Sequence, residues 1–259
     1  MNTTKSFIGV RVSEHSAVSR KAKTFVDASP KVNSIDISDR HRLIDELDCI
    51  SREQVAKLVH NLLLMRNVSD TRFVVVCATG HGEGCSWISS RTAEGLAGQL
   101  QGSVCLIDAN LRSPSLHQSF GLQREPGFSD ALVSFNPIRE YARTASGRRD
   151  DNLWVIPCGS PNADPTTLLT SERLQLCFNQ LRSAFDYILI DAPPLSTYTD
   201  ALTLARFSDG ALMVMESDST RRETARKCKE ILMAANVKLL GGVLNKRTFP
   251  VPEALYRRF

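Results

Sequence analysis

Apolar residues gather in six short, uninterrupted runs: Phe73-Val74-Val75-Val76, Val104-Cys105-Leu106-Ile107, Leu153-Trp154-Val155-Ile156, Tyr187-Ile188-Leu189-Ile190, Ala211-Leu212-Met213-Val214-Met215 and Leu239-Leu240-Gly241-Gly242-Val243-Leu244. A strand with one wet face alternates apolar and polar positions, whereas a strand covered on both faces does not. These runs therefore predict the buried strands of a parallel sheet. Between them the spacing becomes helical. Ile88, Thr92, Leu96 and Leu100 recur every four residues after the first run, and Ala225, Cys228, Leu232 and Ala235 form a stripe before the last, behind a capping box of Thr220 and Glu223. A further helix precedes the first strand, opened by Ser51 and Gln54 and striped by Val55, Leu58, Val59, Leu62 and Leu63 to about Met65. The pattern predicts an α/β architecture, a doubly wound and mainly parallel sheet clothed in helices. Residues 1–50 offer one apolar patch, Phe7-Ile8-Gly9-Val10, and read as a flexible or loosely docked arm ahead of one domain over 51–259.

The densest chemistry lies between the first strand and its helix, in Cys77-Ala78-Thr79-Gly80-His81-Gly82-Glu83-Gly84-Cys85-Ser86-Trp87. Gly80, Gly82 and Gly84 let successive N–H groups turn into one concavity, and the helix N-terminus behind them adds its dipole, which makes a phosphate-binding loop. Against the pattern G-x-x-x-x-G-K-[ST], Gly84 and Ser86 match. Thr79 stands where the first glycine would, and Cys85 takes the lysine position. Two of the runs end in aspartate, Asp108 and Asp191, so both carboxylates emerge at the carboxyl edge of a parallel sheet, where the loop also opens. A nucleoside triphosphate carries Mg²⁺, and Ser86 with Asp191 suits that ion. An Asp after a strand can also cap the next helix. The prolines of Asp191-Ala192-Pro193-Pro194 argue against a cap by forcing an extended turn.

Composition narrows the picture. The 259 residues, 42% of them hydrophobic, suffice for one large core. The net charge of +4 comes from dispersed Lys and Arg, so nothing calls for nucleic acid. The seven cysteines form no C-x-x-C pair, which suits a reducing cytosol. No stretch approaches the roughly 20 apolar residues that span a bilayer, and the expectation is a cytoplasmic protein without a membrane segment. His81 stands four residues before Cys85, but two ligands alone are a weak zinc signal and a solvated loop histidine is the plainer reading. Arg221-Arg222 reads as the exposed first turn of a helix.

Three stretches then resemble the Walker A, Walker A′ and Walker B motifs of bacterial tyrosine kinases: Gly82-Glu83-Gly84-x-Ser86, Leu106-Ile107-Asp108-Ala109-Asn110-Leu111-Arg112-Ser113-Pro114, and Phe185-Asp186-Tyr187-Ile188-Leu189-Ile190-Asp191-Ala192-Pro193-Pro194. Ser160-Pro161-Asn162-Ala163-Asp164-Pro165-Thr166-Thr167-Leu168-Leu169 and Gly242-Val243-Leu244-Asn245 extend the likeness to roughly residues 51–259. The resemblance implies a fold of the P-loop NTPase type, shared with partition and cell-division ATPases, and ATP or ADP with Mg²⁺ as cofactors. It implies nucleotide contacts from Gly80, Gly82, Glu83, Gly84, Cys85, Ser86, Trp87 and Arg112, with Asn245 on the base side. Ser86, Asp108 and Asp191 would hold the metal, and Asp108 and Asp191 would be catalytic. It also implies a place in capsular or exopolysaccharide assembly, at the inner face of the cell membrane, beside a separate membrane-embedded chain-length regulator or co-polymerase.

The departures from that family point one way. Cys85 replaces the loop lysine, and Asn110 replaces the second aspartate of the Asp-x-Asp in Walker A′. The helix at 53–62 resembles the family's oligomerisation helix, but Ala56 and Val59 stand where arginines would be, which disfavours a homo-ring. Of four tyrosines, 141, 187, 198 and 256, only Tyr256 lies in the C-terminal segment, so the family's tyrosine cluster is missing. A hydrogen bond to a charged group contributes about 1.5–3 kcal/mol net, so losing the lysine weakens nucleotide binding by about one to two decades. A missing donor to developing charge costs roughly a hundredfold to a thousandfold in rate. The expectation is a protein that binds nucleotide and regulates a partner with weak or lost kinase activity. The alternative is an active ATP-dependent tyrosine autokinase in which Arg112 or another cation reaches the phosphates. A third reading takes Cys85, at a helix N-terminus, as a low-pKa thiol.

Overall fold

The computed structural model describes residues 7–9, 53–61, 71–145, 152–160, 164–170 and 172–247. All six apolar runs become strands: β2 (Phe73–Ala78), β3 (Val104–Asp108), β5 (Leu153–Ile156), β6 (Tyr187–Ala192), β7 (Gly210–Glu216) and β8 (Leu239–Asn245). Two short strands join them at the rims, β1 (Phe7–Gly9) and β4 (Arg143–Thr144). The sheet order is β1-β8-β7-β2-β6-β3-β5-β4, and every pairing is parallel except that of β4 with β5. The doubly wound, mainly parallel sheet expected from the runs is thus present. Within the expected N-terminal arm, the apolar patch at Phe7 is docked on the sheet, where Phe7–Gly9 pairs with Gly242–Leu244 along the outer side of β8. The rest of the arm, and Tyr256 with the C-terminal segment, lie outside the described residues.

The strands read as continuous runs because both faces are covered. Along β2 every residue is buried, with Phe73, Val75 and Cys77 in one apolar cluster and Val74 and Val76 in the other. At about 1.5–3 kcal/mol for each large apolar side chain removed from water, these two layers supply the main stabilisation of the sheet. The first layer is closed by α4 (Phe128–Val133), α6 (Glu172–Ala184), α7 (Asp200–Ala205) and α8 (Arg222–Ala234). The second is closed by α1 (53–61) and α2 (Cys85–Gln99), with the short α3 (Leu116–Ser119) at its margin. A short helix, α5 (Pro165–Leu169), follows β5.

Helix α1 is where Ser51, Leu62 and Leu63 were expected to contribute, and these three lie outside the described residues. Its Val55, Leu58 and Val59 are buried, and it lies so close to α2 that a Cβ on Gly95 would come within 3.1 Å of the Val55 and Val59 methyls. Val59 is therefore a core residue. An arginine in its place would have no route to solvent.

One expected cap is absent. Helix α8 starts one residue later than the Thr220–Glu223 capping box requires, with Arg221 at the N-cap and no side-chain cap bond. The Thr220 hydroxyl is engaged elsewhere: it donates to the buried Glu83 carboxylate at 2.5 Å and accepts from the Glu216 N–H at 2.9 Å. A buried carboxylate holds a donor more strongly than a solvated helix end does. Arg221 and Arg222 are exposed, as expected of a first turn.

Candidate functional site

The loop between β2 and α2 rises at the carboxyl edge of the central strands, which brings both aspartates to it. Asp108 and Asp191 are direct partners in the β3–β6 register, and Val76 of β2 is paired with Asp191. The chain enters α2 through Gly82 and Gly84, with φ of 77° and 82°. Gly84 is doubly constrained, since its backbone is left-handed and a Cβ there would collide with Asn245 Nδ2. The cleft in front of the loop has a volume of about 360 Å³ and is lined by loop residues 80–87 together with Asn110, Ser113 and Pro194 among others.

The loop is braced from behind. The Glu83 carboxylate accepts from Thr79 N at 2.8 Å, from Thr79 Oγ1 at 2.6 Å and from Thr220 Oγ1. Asn245 Nδ2 donates to the Glu83 carbonyl at 2.9 Å, and Lys246 Nζ donates to the Gly82 carbonyl at 2.6 Å. The loop therefore holds its curved shape through its own glutamate and the end of β8, with its concave side left open.

The acidic pair is buried. Asp191 accepts from Ser86 Oγ at 2.5 Å and Ser89 Oγ at 2.9 Å. Burial nevertheless pushes its carboxyl up to about 6, against the lowering effect of those hydroxyls. Asp108 receives the Leu116 and Ser115 N–H groups on Oδ2, at 3.0 and 3.1 Å. Burial and then the Asp191 charge push it up to about 7. Its other oxygen, Oδ1, is buried without a partner. Two facing carboxylates, one with an orphaned oxygen, beside a serine hydroxyl form a hard-oxygen donor set suited to Mg²⁺ and ill suited to being left uncompensated.

Cys85 begins α2 half-buried, its Sγ 3.9 Å from the Ala192 carbonyl. Packing beneath the loop, and then the Asp191 charge, push its thiol well above the usual cysteine value. Both effects, burial before the carboxylate, run against the low-pKa thiolate reading. Among the described residues no group of three or more His, Cys, Asp or Glu is placed to hold a metal ion, so His81 and Cys85 gain no further ligand. His81 stacks edge-on against Tyr198 at 5.7 Å instead.

Arg112, expected at the phosphates, is held by another partner. Its guanidinium makes a two-pronged pair with Asp200, at 2.7 and 3.2 Å, reaches Thr166 Oγ1 at 3.1 Å and lies 4.3 Å from the Tyr198 ring centroid. Asn110 lies on the cleft, where its Oδ1 accepts from Ser113 N at 3.2 Å. Trp87 also lines the cleft and carries the Arg91 guanidinium over its ring. Gly80 and Ser86 line the same wall. Asn245 is almost fully buried, with Oδ1 unpaired. Sequence reasoning missed Ser89, one helical turn after Ser86 on the same face, and it missed Lys246. For Lys246 the available signal was its place directly after Asn245.

A strand, a glycine loop and a helix, set beside two strand-end aspartates in a mostly parallel sheet, define a protein of the P-loop NTPase class. No family model matches the chain. Among individual proteins, it is 28% identical over 196 residues to tyrosine-protein kinase YwqD of Bacillus subtilis, covering 76% of this chain and 81% of that protein. It is 28% identical over 178 residues to tyrosine-protein kinase CpsD of Streptococcus agalactiae, covering 68% and 75%. Of solved structures, the chimerical protein CapA2B2 superposes with a TM-score of 0.71 at 26% identity, over 77% of this chain and 86% of that one. The septum site-determining protein MinD from Pyrococcus horikoshii, solved with Mg-ADP, shares the fold with a TM-score of 0.57 at 20% identity, over 73% and 77%. The chain is a homologue of the bacterial tyrosine kinases. No described helix is long and apolar enough to cross a membrane.

Proposed function

We propose that the chain binds Mg-nucleotide and acts by contact in a capsular or exopolysaccharide system, regulating a separate membrane-embedded chain-length regulator or co-polymerase with weak or lost tyrosine kinase activity. The observation that carries the reading is the pairing of an intact cradle with a thiol in the lysine position. Gly82, Gly84 and the start of α2 retain the donor geometry for phosphate. Ser86, Asp108 and Asp191 retain oxygens for the metal. Cys85 points its sulfur at the Ala192 carbonyl and offers no cation.

When bound, Mg²⁺ would neutralise charge on the β- and γ-phosphates. This chain's groups would do the rest: the loop amides hold phosphate oxygens, Asn245 stands on the base side, and Asp191 orients Ser86. Phosphoryl transfer depends on electrostatic stabilisation of developing charge, and a missing donor there costs roughly a hundredfold to a thousandfold. Binding tolerates that loss better than catalysis does. Support for the polysaccharide setting comes from the homologous kinases, and a homo-ring is disfavoured because Val59 is packed inside. Radiolabelled ATP incubated with wild type, Asp191→Ala and Cys85→Lys tests the reading. Little or no label on tyrosine in the wild type is expected. Robust wild-type labelling that Asp191→Ala abolishes would instead establish a working autokinase.

A further inference from the structure

The loop has no lysine of its own, yet one reaches it from another element. β8 ends at Asn245, and the next residue, Lys246, turns back with φ of 56°, a left-handed conformation that residues with a Cβ rarely adopt. That turn sends its ammonium to the Gly82 carbonyl at 2.6 Å, while the Glu216 carboxylate stands farther off at 3.6 Å. The side chain is about a quarter exposed, at 27%. Beside it, Asn245 holds the next carbonyl in the loop, that of Glu83. Two adjacent side chains thus grip two adjacent carbonyls on the outer side of the phosphate loop.

The peptide unit between Gly82 and Glu83 joins the two sides. Its oxygen accepts from Lys246 and its N–H belongs to Glu83. A cation bonded to the oxygen draws electron density along the amide and makes the N–H a stronger donor. We propose that Lys246, from the end of β8, supplies the positive charge that the loop lacks at position 85, acting through the Gly82–Glu83 peptide as a positioning residue for bound phosphate. The inference rests on the nucleotide-binding reading and identifies the charge source of that same site. The ligand class it favours is a nucleoside di- or triphosphate, whose affinity depends on charge.

The test is calorimetric titration of the full chain with Mg-ADP at low and high salt, using wild type, Lys246→Met and Lys246→Arg, with thermal midpoints recorded to show that each is folded. Methionine keeps the length and apolar stem but removes the charge. The expected result is an affinity about tenfold lower for Lys246→Met, a shallower salt dependence than wild type, and recovery of most of the affinity in Lys246→Arg. An affinity for Lys246→Met within about twofold of wild type would overturn the proposal while leaving nucleotide binding intact. So would a loss that arginine does not recover and that leaves the salt dependence unchanged, since that is the mark of a purely structural role. A wild type that binds no Mg-ADP would overturn the underlying reading and this inference together.

Discussion

Restoring the loop lysine is the most direct perturbation of this site. In Cys85→Lys the new side chain starts where Sγ now lies 3.9 Å from the Ala192 carbonyl, at a half-buried position beside Asp191. Without ligand the ammonium must leave the Ala192 carbonyl and enter the cleft, whose volume of about 360 Å³ leaves it room. With Mg-ATP present it meets phosphate oxygens and makes a charge-assisted bond. Such bonds contribute about 1.5–3 kcal/mol, which corresponds to an affinity gain of roughly tenfold to a hundredfold. The gain should sit near the lower figure if Lys246 already polarises the loop, because the two cations would then serve the same phosphates. Calorimetry of wild type and Cys85→Lys against Mg-ATP and Mg-ADP measures it directly. Equal affinities within about twofold, with both proteins folded, would refute the argument that Cys85 limits phosphate binding.

Two further outcomes follow from the same geometry. Asp108 and Asp191 are raised to about 7 and about 6, above ordinary carboxylate values near 4, so the metal-free folded protein holds more protons than the unfolded chain between those limits. Its stability should therefore fall as pH rises from about 4 to about 7, and added Mg²⁺ should restore it at neutral pH; a thermal midpoint that rises over that interval without metal would contradict this. Gly84→Ala places a Cβ against Asn245 Nδ2 on a backbone with φ of 82°, and should cost on the order of 1–3 kcal/mol in chemical denaturation while abolishing Mg-ADP binding.

Much of the fold was legible because both faces of the sheet are covered, so β2, β3, β5, β6, β7 and β8 each stand out as unbroken apolar runs. The rims were not. β4 is two residues long with no apolar run to mark it, and β1 is a three-residue patch whose pairing depends on β8, some 230 residues away. At the site, the loop and the strand-end aspartates were readable because sequence position alone puts them at one edge. Ser86 beside Asp191 was readable for the same reason. Side-chain competition was not readable. Arg112 is captured by Asp200, 88 residues along the chain, and Thr220 leaves its helix to bind Glu83, 137 residues away. Local pattern rules assign such residues to their nearest role, while the buried carboxylate with the greater need for a donor takes them. The pairing of Asn245 and Lys246 with the loop is legible only once the strand order brings β8 and β7 alongside β2.

The Thr220 hydroxyl belongs at once to the loop and to the turn that launches α8. On one side it is bonded to Glu83, and on the other to the Glu216 backbone four residues earlier, across the β7–α8 turn. Helix α8 itself is tied down lightly, by Cys228 and Leu232 on its inner face, while its Glu223–Lys227 and Arg226–Glu230 pairs are made within the helix. Loop and helix are in that sense joined: any displacement of Glu83 would be felt, through one hydroxyl, at the turn that starts α8.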